Sequence, residues 1–425
     1  MVRTFILATT ITLLHFSDYH SHAVPFYTEE GERGGIARAI RYLASEKRHG
    51  ALVFNGGDTI NKGSPAWSDK YGCEEWPWWN GVVDAMAFGN HDADYGLAAF
   101  ERCRETVTYP ILSANTAGFK RYEVFVVKGI RIGVFAVAGP DFPTLVRLPE
   151  LSFRDSVSAA RVVVQELRER ERVHAVVMIG HEHAEADEAL ARAVPGIDLI
   201  FGTHSHLKRD FTRIEGTQTW FISPWQYLAY ISRVQMTFAD GRLKDVRGAL
   251  MPVDRRMRED RAIARRVRSM HRKLELDPAY SELFAPVAEL REPLGIEALA
   301  QRALESMRRV TSADVALSTI SSFRGALPAG VLTMEELRRV LPYDNEIIVC
   351  TMPAQQWQRV LDFSASRAGT DAEAIVSGTA TRAEVRVATT DYLANVAYRD
   401  VFLCEKEKSG LKVRSELRKT LTPVH

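Results

Sequence analysis

Ala51-Leu52-Val53-Phe54-Asn55-Gly56-Gly57-Asp58 is a short apolar run that ends in a glycine turn and a carboxylate. A run of this length reads as a buried strand, and the two glycines let the backbone turn sharply at its end. The pattern recurs through the first half of the chain. Apolar runs at 11–16, 82–88, 173–179 and 197–201 end in Asp18-Tyr19-His20, Gly89-Asn90-His91-Asp92, Gly180-His181-Glu182-His183 and Gly202-Thr203-His204-Ser205-His206. Helical patterns at 35–47, 157–171 and 185–193 separate them. Alternating strand and helix predicts an α/β domain, and open α/β sheets place their sites at strand C-termini, where these clusters fall. Residues 122–138 read as a hairpin about Lys128-Gly129, and 219–253 as further strands turning at Ala239-Asp240-Gly241.

A length of 425 residues exceeds one ordinary core, so two domains are expected. Residues 1–253 form the first, 254–284 a solvated linking helix dense in Arg and Glu, and 285–425 a second α/β unit. Its landmarks are the strands 313–320 and 346–351, the loop Ser321-Ser322-Phe323-Arg324-Gly325 and a helix over 333–340. The charged tail 405–425 reads as partly disordered. With 46% apolar and 26% charged residues the chain is an ordinary globular composition, and a net charge of +1 gives no overall pull toward nucleic acid or anionic membrane. No stretch approaches the ~20 apolar residues of a membrane span. Val2-Arg3 and the apolar residues after it faintly resemble a leader. Cleavage there would remove the Asp18 cluster, so a first strand and a cytoplasmic location are expected, with a periplasmic or extracellular one if the true start lies upstream. Of four cysteines, Cys73 and Cys103 flank the Asn90-His91 cluster and can pair in an exported protein, while Cys350 reads as a buried thiol.

One Asp or His at a strand end is ordinarily a turn former or a satisfied polar group. Five such clusters in series are different, because burying that many ionisable groups without a cation is very costly. Asp18 and His20 are two apart, so their side chains share one face of an extended strand end. Asp58 is the natural bridge between two ions, Asn90 offers an amide oxygen, and His181, His204 and His206 offer imidazoles. Oxygen and nitrogen donors in this number suit two divalent metals and metal-assisted hydrolysis of a phosphate ester.

The order D-x-H, G-G-D, G-N-H-D, G-H, G-T-H-x-H resembles the calcineurin-like metallophosphoesterases. Gly89-Asn90-His91-Asp92-Ala93-Asp94-Tyr95-Gly96 is similar to the G-N-H-E-F-D-x-G of their 5′-nucleotidase branch. Phe323-Arg324-Gly325-Ala326-Leu327-Pro328-Ala329-Gly330 and Leu341-Pro342-Tyr343-Asp344-Asn345 resemble that branch's second-domain motifs. The resemblance implies a four-layer α/β/β/α sandwich followed by a smaller α/β substrate-binding domain. It implies that Asp18, His20, Asp58 and His206 hold one ion and Asp58, Asn90, His181 and His204 the other, the ions being Mn, Zn or similar. It further implies a water between the ions as nucleophile, His91 and Asp94 as catalytic dyad, Asn90 and Arg324 as phosphate contacts, and a small phosphorylated metabolite, a nucleotide, as substrate.

The chain departs from that family in two places. Thr319 and Ser321-Ser322 stand where the family carries Asn and paired glycines, which predicts a stiffer loop before Arg324. Val396-Ala397-Tyr398-Arg399-Asp400 stands where a glycine-rich segment near a base-stacking aromatic is usual, leaving Tyr398 and Phe402 as candidates for stacking. The alternatives are therefore a phosphodiesterase or non-nucleotide phosphatase, a thiosulfohydrolase, against which Asn90-His91 argues, and a non-catalytic binding protein. Glu182 and His183 read as support or solvent groups, and His15, His22 and His174 as ordinary. Trp67, Trp76, Trp78 and Trp79 read equally as a wall over the site or as local packing.

Overall fold

The computed structural model describes residues 8–421. Residues 1–7, which carry the first part of the leader-like segment, and residues 422–425 lie outside the described residues. By packing, the chain divides into two units. One holds the residues up to Phe26, Glu32–Gly63 and Trp67–His271; the other holds Tyr27–Gly31, Ser64–Ala66 and the residues from Arg272 onward.

The first unit is built on two six-stranded sheets. In one, Thr9–Phe16, Leu52–Asn55, Ala85–Ala87 and Ile111–Leu112 lie parallel in that order. The antiparallel strands Tyr230–Ala239 and Arg242–Pro252 extend the Thr9–Phe16 edge. In the other, Ile130–Phe135, Ala175–Met178, Leu199–Phe201 and Trp220–Pro224 are parallel, with antiparallel edges at Tyr122–Val127 and Lys208–Arg213. The expected apolar runs are these strands. Their side chains divide by alternation, as a strand buried on both faces requires. Ala175 and Val177 join Leu13, Phe54 and Ala87 between the sheets. Val176 and Met178 face outward onto Val163, Leu167 and Leu190 of the helices Ser156–Glu169 and Ala184–Ala193. The helix Ile36–Arg48 buries Ile36, Ile40 and Leu43 and packs beside Leu52–Asn55. The result is the expected helix–sheet–sheet–helix sandwich. The two hairpins turn where predicted, with Lys128-Gly129 and Asp240-Gly241 all at positive φ.

The second unit has a five-stranded sheet ordered Ala374–Gly378, Val315–Thr319, Glu384–Thr390, Glu346–Pro353, Lys406–Lys412. The helix Ile296–Thr311 shares a core with Ala316, Ile347 and Ala388. Trp357 and Val360 of the helix Ala354–Ala365 share another with Val315, Leu317 and Ile348. The helix Met334–Val340 starts in a capping box between Thr333 and Glu336.

Several expectations need correction. The tail is not disordered over 405–421: Lys406–Lys412 pairs with Glu346–Pro353, and Val413 and Leu417 of the following helix anchor it in the core. The helix Arg261–Glu275 is not merely solvated, because Ala264, Val267, Met270 and Leu274 form a buried stripe at helical spacing. Cys350 is not a free thiol: it pairs with Cys404, and Cys73 pairs with Cys103. The tryptophans are packing residues. Trp76 and Trp79 are wholly buried, and the Arg266 guanidinium lies 4.7 Å over the Trp78 ring.

Candidate metal centre

The parallel strands of both sheets deliver their C-terminal loops into one region of the first unit. Asp18 and His20 follow Thr9–Phe16, Asp58 follows Leu52–Asn55, and Asn90 and His91 follow Ala85–Ala87. From the other sheet His181 follows Ala175–Met178, and His204 and His206 follow Leu199–Phe201. The loops are laced by backbone hydrogen bonds from Asp18 to Gly57, His20 to Asp58 and Ser21 to Thr59, of 3.1, 2.9 and 2.9 Å. Asp18, His20, Asp58, His204 and His206 all take left-handed backbone conformations, with φ between 48° and 56°. Such a set is unusual for L residues and is held by the surrounding hydrogen bonds.

Two triads result. Asp18, His20 and His206 bring one donor atom each within 4.8 Å of one another, and so do Asp58, His181 and His204. Asp58 Oδ2 lies 3.2 Å from His181 Nε2 and 3.8 Å from His20 Nε2, so this carboxylate stands between the triads. Its other oxygen accepts the His91 amide at 2.8 Å, and Asp18 Oδ2 accepts the His204 amide at 3.2 Å. Each ring is oriented from behind. His181 Nδ1 meets the Gly56 carbonyl at 2.7 Å, His20 Nδ1 the Ile60 carbonyl at 3.3 Å, and His206 Nδ1 the Gln226 side-chain oxygen. Asn90 Oδ1, Asp58 Oδ2 and His181 Nε2 are buried and make no hydrogen bond. Buried donors and acceptors are ordinarily satisfied, so these atoms fit a divalent ion.

The electrostatics agree. Burial disfavours charge on both Asp58 and His181. Their mutual attraction outweighs it, holding Asp58 below the usual carboxylate range and pushing His181 up to about 10. The proton of the pair therefore rests on His181, from which a cation would have to displace it.

His91 is partly exposed, and its Nδ1 meets Asp94 Oδ2 at 2.7 Å; Asp94 Oδ2 also accepts the Lys62 amide. Burial lowers the His91 pKa, but Asp58 and Asp94 together raise it on balance.

Supports that sequence reading left without a role are now visible. Asp92 accepts the amides of Asp58, Thr59 and Gly89 at 3.1, 2.7 and 2.9 Å and so shapes the turn; burial and the Asp58 charge push it up to about 7. Asp141 contacts His204, and Gln226 contacts His206. A signal for these two was present: Gly139-Pro140-Asp141 and Trp225-Gln226 also follow apolar runs. His15 stacks on Phe201, and burial drives its pKa down to about 3, which keeps it neutral. His174 accepts the Arg131 amide, and His22 stacks on Tyr227. Glu182 is fully buried beside Asp187, not a solvent group, and burial pushes it up to about 8.

In the second unit Arg324 follows a short turn, and its amide binds the Val340 carbonyl at 2.7 Å. The hydroxyls of Thr319, Ser321 and Ser322 bond to one another, and Ser321 binds the Asp371 carbonyl at 2.5 Å. This network is the physical form of the stiffer loop. Tyr398 and Phe402 are not available for stacking. Both are buried in the core, and the Tyr398 hydroxyl binds the Ala372 carbonyl. The exposed large aromatics of this unit are Tyr343 and Tyr392, among the described residues. The antiparallel register Ile347↔Thr390 puts both at the same end of the sheet.

Residues 11–208 match the calcineurin-like phosphoesterase family, and residues 288–402 match the 5′-nucleotidase C-terminal domain. The 5′-nucleotidase of Vibrio cholerae is 28% identical over 423 residues, which cover 83% of this chain and 74% of that protein. Among solved structures, the 5′-nucleotidase precursor of Thermus thermophilus aligns with a TM-score of 0.72 at 20% identity, over 97% of this chain and 96% of that one. The sulfate thiohydrolase SoxB of Thermus thermophilus aligns with a TM-score of 0.74 at 19% identity, over 97% and 94%. Both structures speak for the fold.

Proposed function

This chain belongs to the calcineurin-like phosphoesterases that carry a 5′-nucleotidase C-terminal domain, and we propose that it removes the phosphate from a nucleoside 5′-monophosphate at a centre of two divalent metals. The observation that carries this reading is the convergence of two His/Asp triads about a buried, bridging Asp58. Asp18, His20, Asp58 and His206 would hold one ion, and Asp58, Asn90, His181 and His204 the other. Carboxylate, amide and imidazole donors suit Mn, Zn or a similar ion. When bound, the ions would polarise the phosphoryl group and acidify water.

The remaining work falls to side chains. Asp94 accepts a hydrogen bond from His91 Nδ1–H, which orients the ring so that its charged form, with both nitrogens protonated, presents Nε2–H outward. The charge that Asp58 and Asp94 favour on His91 stabilises the developing negative charge, and His91 gives its Nε2 proton to the departing ester oxygen. Arg324 would clamp the phosphate with its planar fork. Tyr343 and Tyr392 offer aromatic faces to a nucleobase. Two cysteine pairs support work in an oxidising compartment outside the cytoplasm. No helix among the described residues is long and apolar enough to cross a membrane.

The test is hydrolysis of nucleoside monophosphates, sugar phosphates, cyclic nucleotides, a thiosulfate ester and p-nitrophenyl phosphate with added Mn²⁺, beside His91→Ala. Turnover of 5′-nucleotides is expected, falling about 10²–10⁴-fold in the variant with its metal content intact. Turnover of only the generic ester rejects the nucleotide, and turnover of only the thiosulfate ester rejects phosphate chemistry.

A further inference from the structure

Three of the four imidazoles in the metal centre share one arrangement. His20, His181 and His206 each turn Nδ1 to an oxygen acceptor, which leaves Nε2 facing the carboxylates. His204 is reversed: its Nε2 meets Asp141 Oδ2 at 2.9 Å, which leaves Nδ1 as the ring atom able to ligate. We propose that Asp141 is a positioning residue of the metal centre, holding the Nε2 proton of His204 so that the ring meets its cation through Nδ1. The inference rests on the two-metal reading above.

The loop is shaped for this task. Gly139-Pro140-Asp141 lies beside the His181 loop, with the Gly139 amide on the His181 carbonyl at 2.9 Å and the His181 amide on Val137 at 2.8 Å. A Cβ at position 139 would sit 2.7 Å from Asp141 Oδ1 and 3.0 Å from Glu182 Cβ, so any larger residue would push the carboxylate away. His183 Nε2 also meets Asp141 Oδ2, at 3.2 Å. A carboxylate accepts only, so both rings donate to it, and the proton of His204 is thereby assigned to Nε2. The three other rings lean on neutral oxygens. A carboxylate behind His204 fixes that ring's orientation and its donated proton, an arrangement whose loss typically costs about 10–100-fold in metal affinity. Asp141, His183 and His204 also lie close enough together to hold a further ion, in which case Asp141 would be a ligand itself.

Stepwise Co²⁺ titration of the metal-free chain, followed by its visible absorption, separates these cases. The wild type, Asp141→Ala, Asp141→Asn, His204→Ala and the double variant Asp141→Ala/His204→Ala are compared. Two ions are expected in the wild type. Asp141→Ala should weaken one of them about 10–100-fold and leave the other unchanged. Asp141→Asn, which keeps an acceptor oxygen, should lose less. In the His204→Ala background the Asp141 change should add nothing. Equal weakening of both ions, an undiminished effect without His204, or three ions falling to two in Asp141→Ala each overturn the proposal. If the wild type binds no Co²⁺, the two-metal reading fails and takes this one with it. Thermal melting reports on folding, and Asp141→Asn carries the test if Asp141→Ala does not fold.

Discussion

Asp18, His20, Asp58, His204 and His206 share a left-handed backbone conformation that costs L residues about 1–2 kcal/mol each. The cost is offset by hydrogen bonds between neighbouring loops, and its effect is to turn each donor atom inward at a strand end. Strain of this kind is a mark of sites where geometry matters more than stability. A second residue-scale feature is Glu75, fully buried, whose Oε1 accepts the Tyr19 hydroxyl at 2.5 Å. Burial pushes its pKa up to about 8, from 4.5 in an unfolded chain. The folded state therefore keeps a proton that the unfolded state loses near pH 4.5. Stability contributed by this group is full below that pH and is lost as pH rises toward 8, at up to about 1.4 kcal/mol per pH unit. Glu75→Gln, which keeps the acceptor and cannot ionise, should flatten that fall; urea unfolding of both proteins from pH 4.5 to 8 measures the difference in slope. Parallel curves would show that Glu75 does not titrate there.

At the scale of elements, the centre depends on how closely the loops pack. A Cβ at Gly89 would fall on the backbone amide and carboxylate of Asp58. Gly89→Ala should therefore displace the bridging carboxylate, cost about 1–3 kcal/mol of stability, and lower bound metal from two ions per chain. Melting curves and elemental analysis check this, and full metal content in the variant would contradict it. The Cys73–Cys103 pair closes a separation of 30 residues around the loop that carries Asn90, His91 and Asp94. Replacing both cysteines by Ser should cost about 2–4 kcal/mol, read as a lower melting temperature under oxidising conditions. An unchanged melting temperature would mean that the thiols are not paired in solution.

At the scale of the whole molecule, donors from both six-stranded sheets meet, so a bound cation ties one sheet's loops to the other's. Ions that bind only the folded chain stabilise it by mass action, about 2.7 kcal/mol at a free concentration of 100 Kd. Chelation should lower the melting temperature and abolish hydrolysis, and Mn²⁺ should restore both. A chelated protein that melts at the same temperature as the untreated one would argue that the centre is empty in both.

Much of this was legible in order and spacing. Strands buried on both faces leave continuous apolar runs, and donors placed after them predicted an α/β domain with a donor cluster at its strand ends, while the sandwich followed from the family resemblance. The packing of the helix at 254–275 and of the tail is not legible in the sequence, because abundant charge there surrounds only sparse apolar positions, of which Ala264, Val267, Met270, Leu274, Val413 and Leu417 are buried. Cys350 and Cys404 lie 54 residues apart, and only strand order makes them neighbours. The sequence by itself determined which donor residues stand at the strand ends, because residue type and local turn propensity are encoded along the chain. The tertiary structure alone decided how they are held: that Asp141 backs His204, that Gln226 backs His206, and that Tyr398 and Phe402 are core. Such contacts join strands remote in sequence, and no local pattern specifies them.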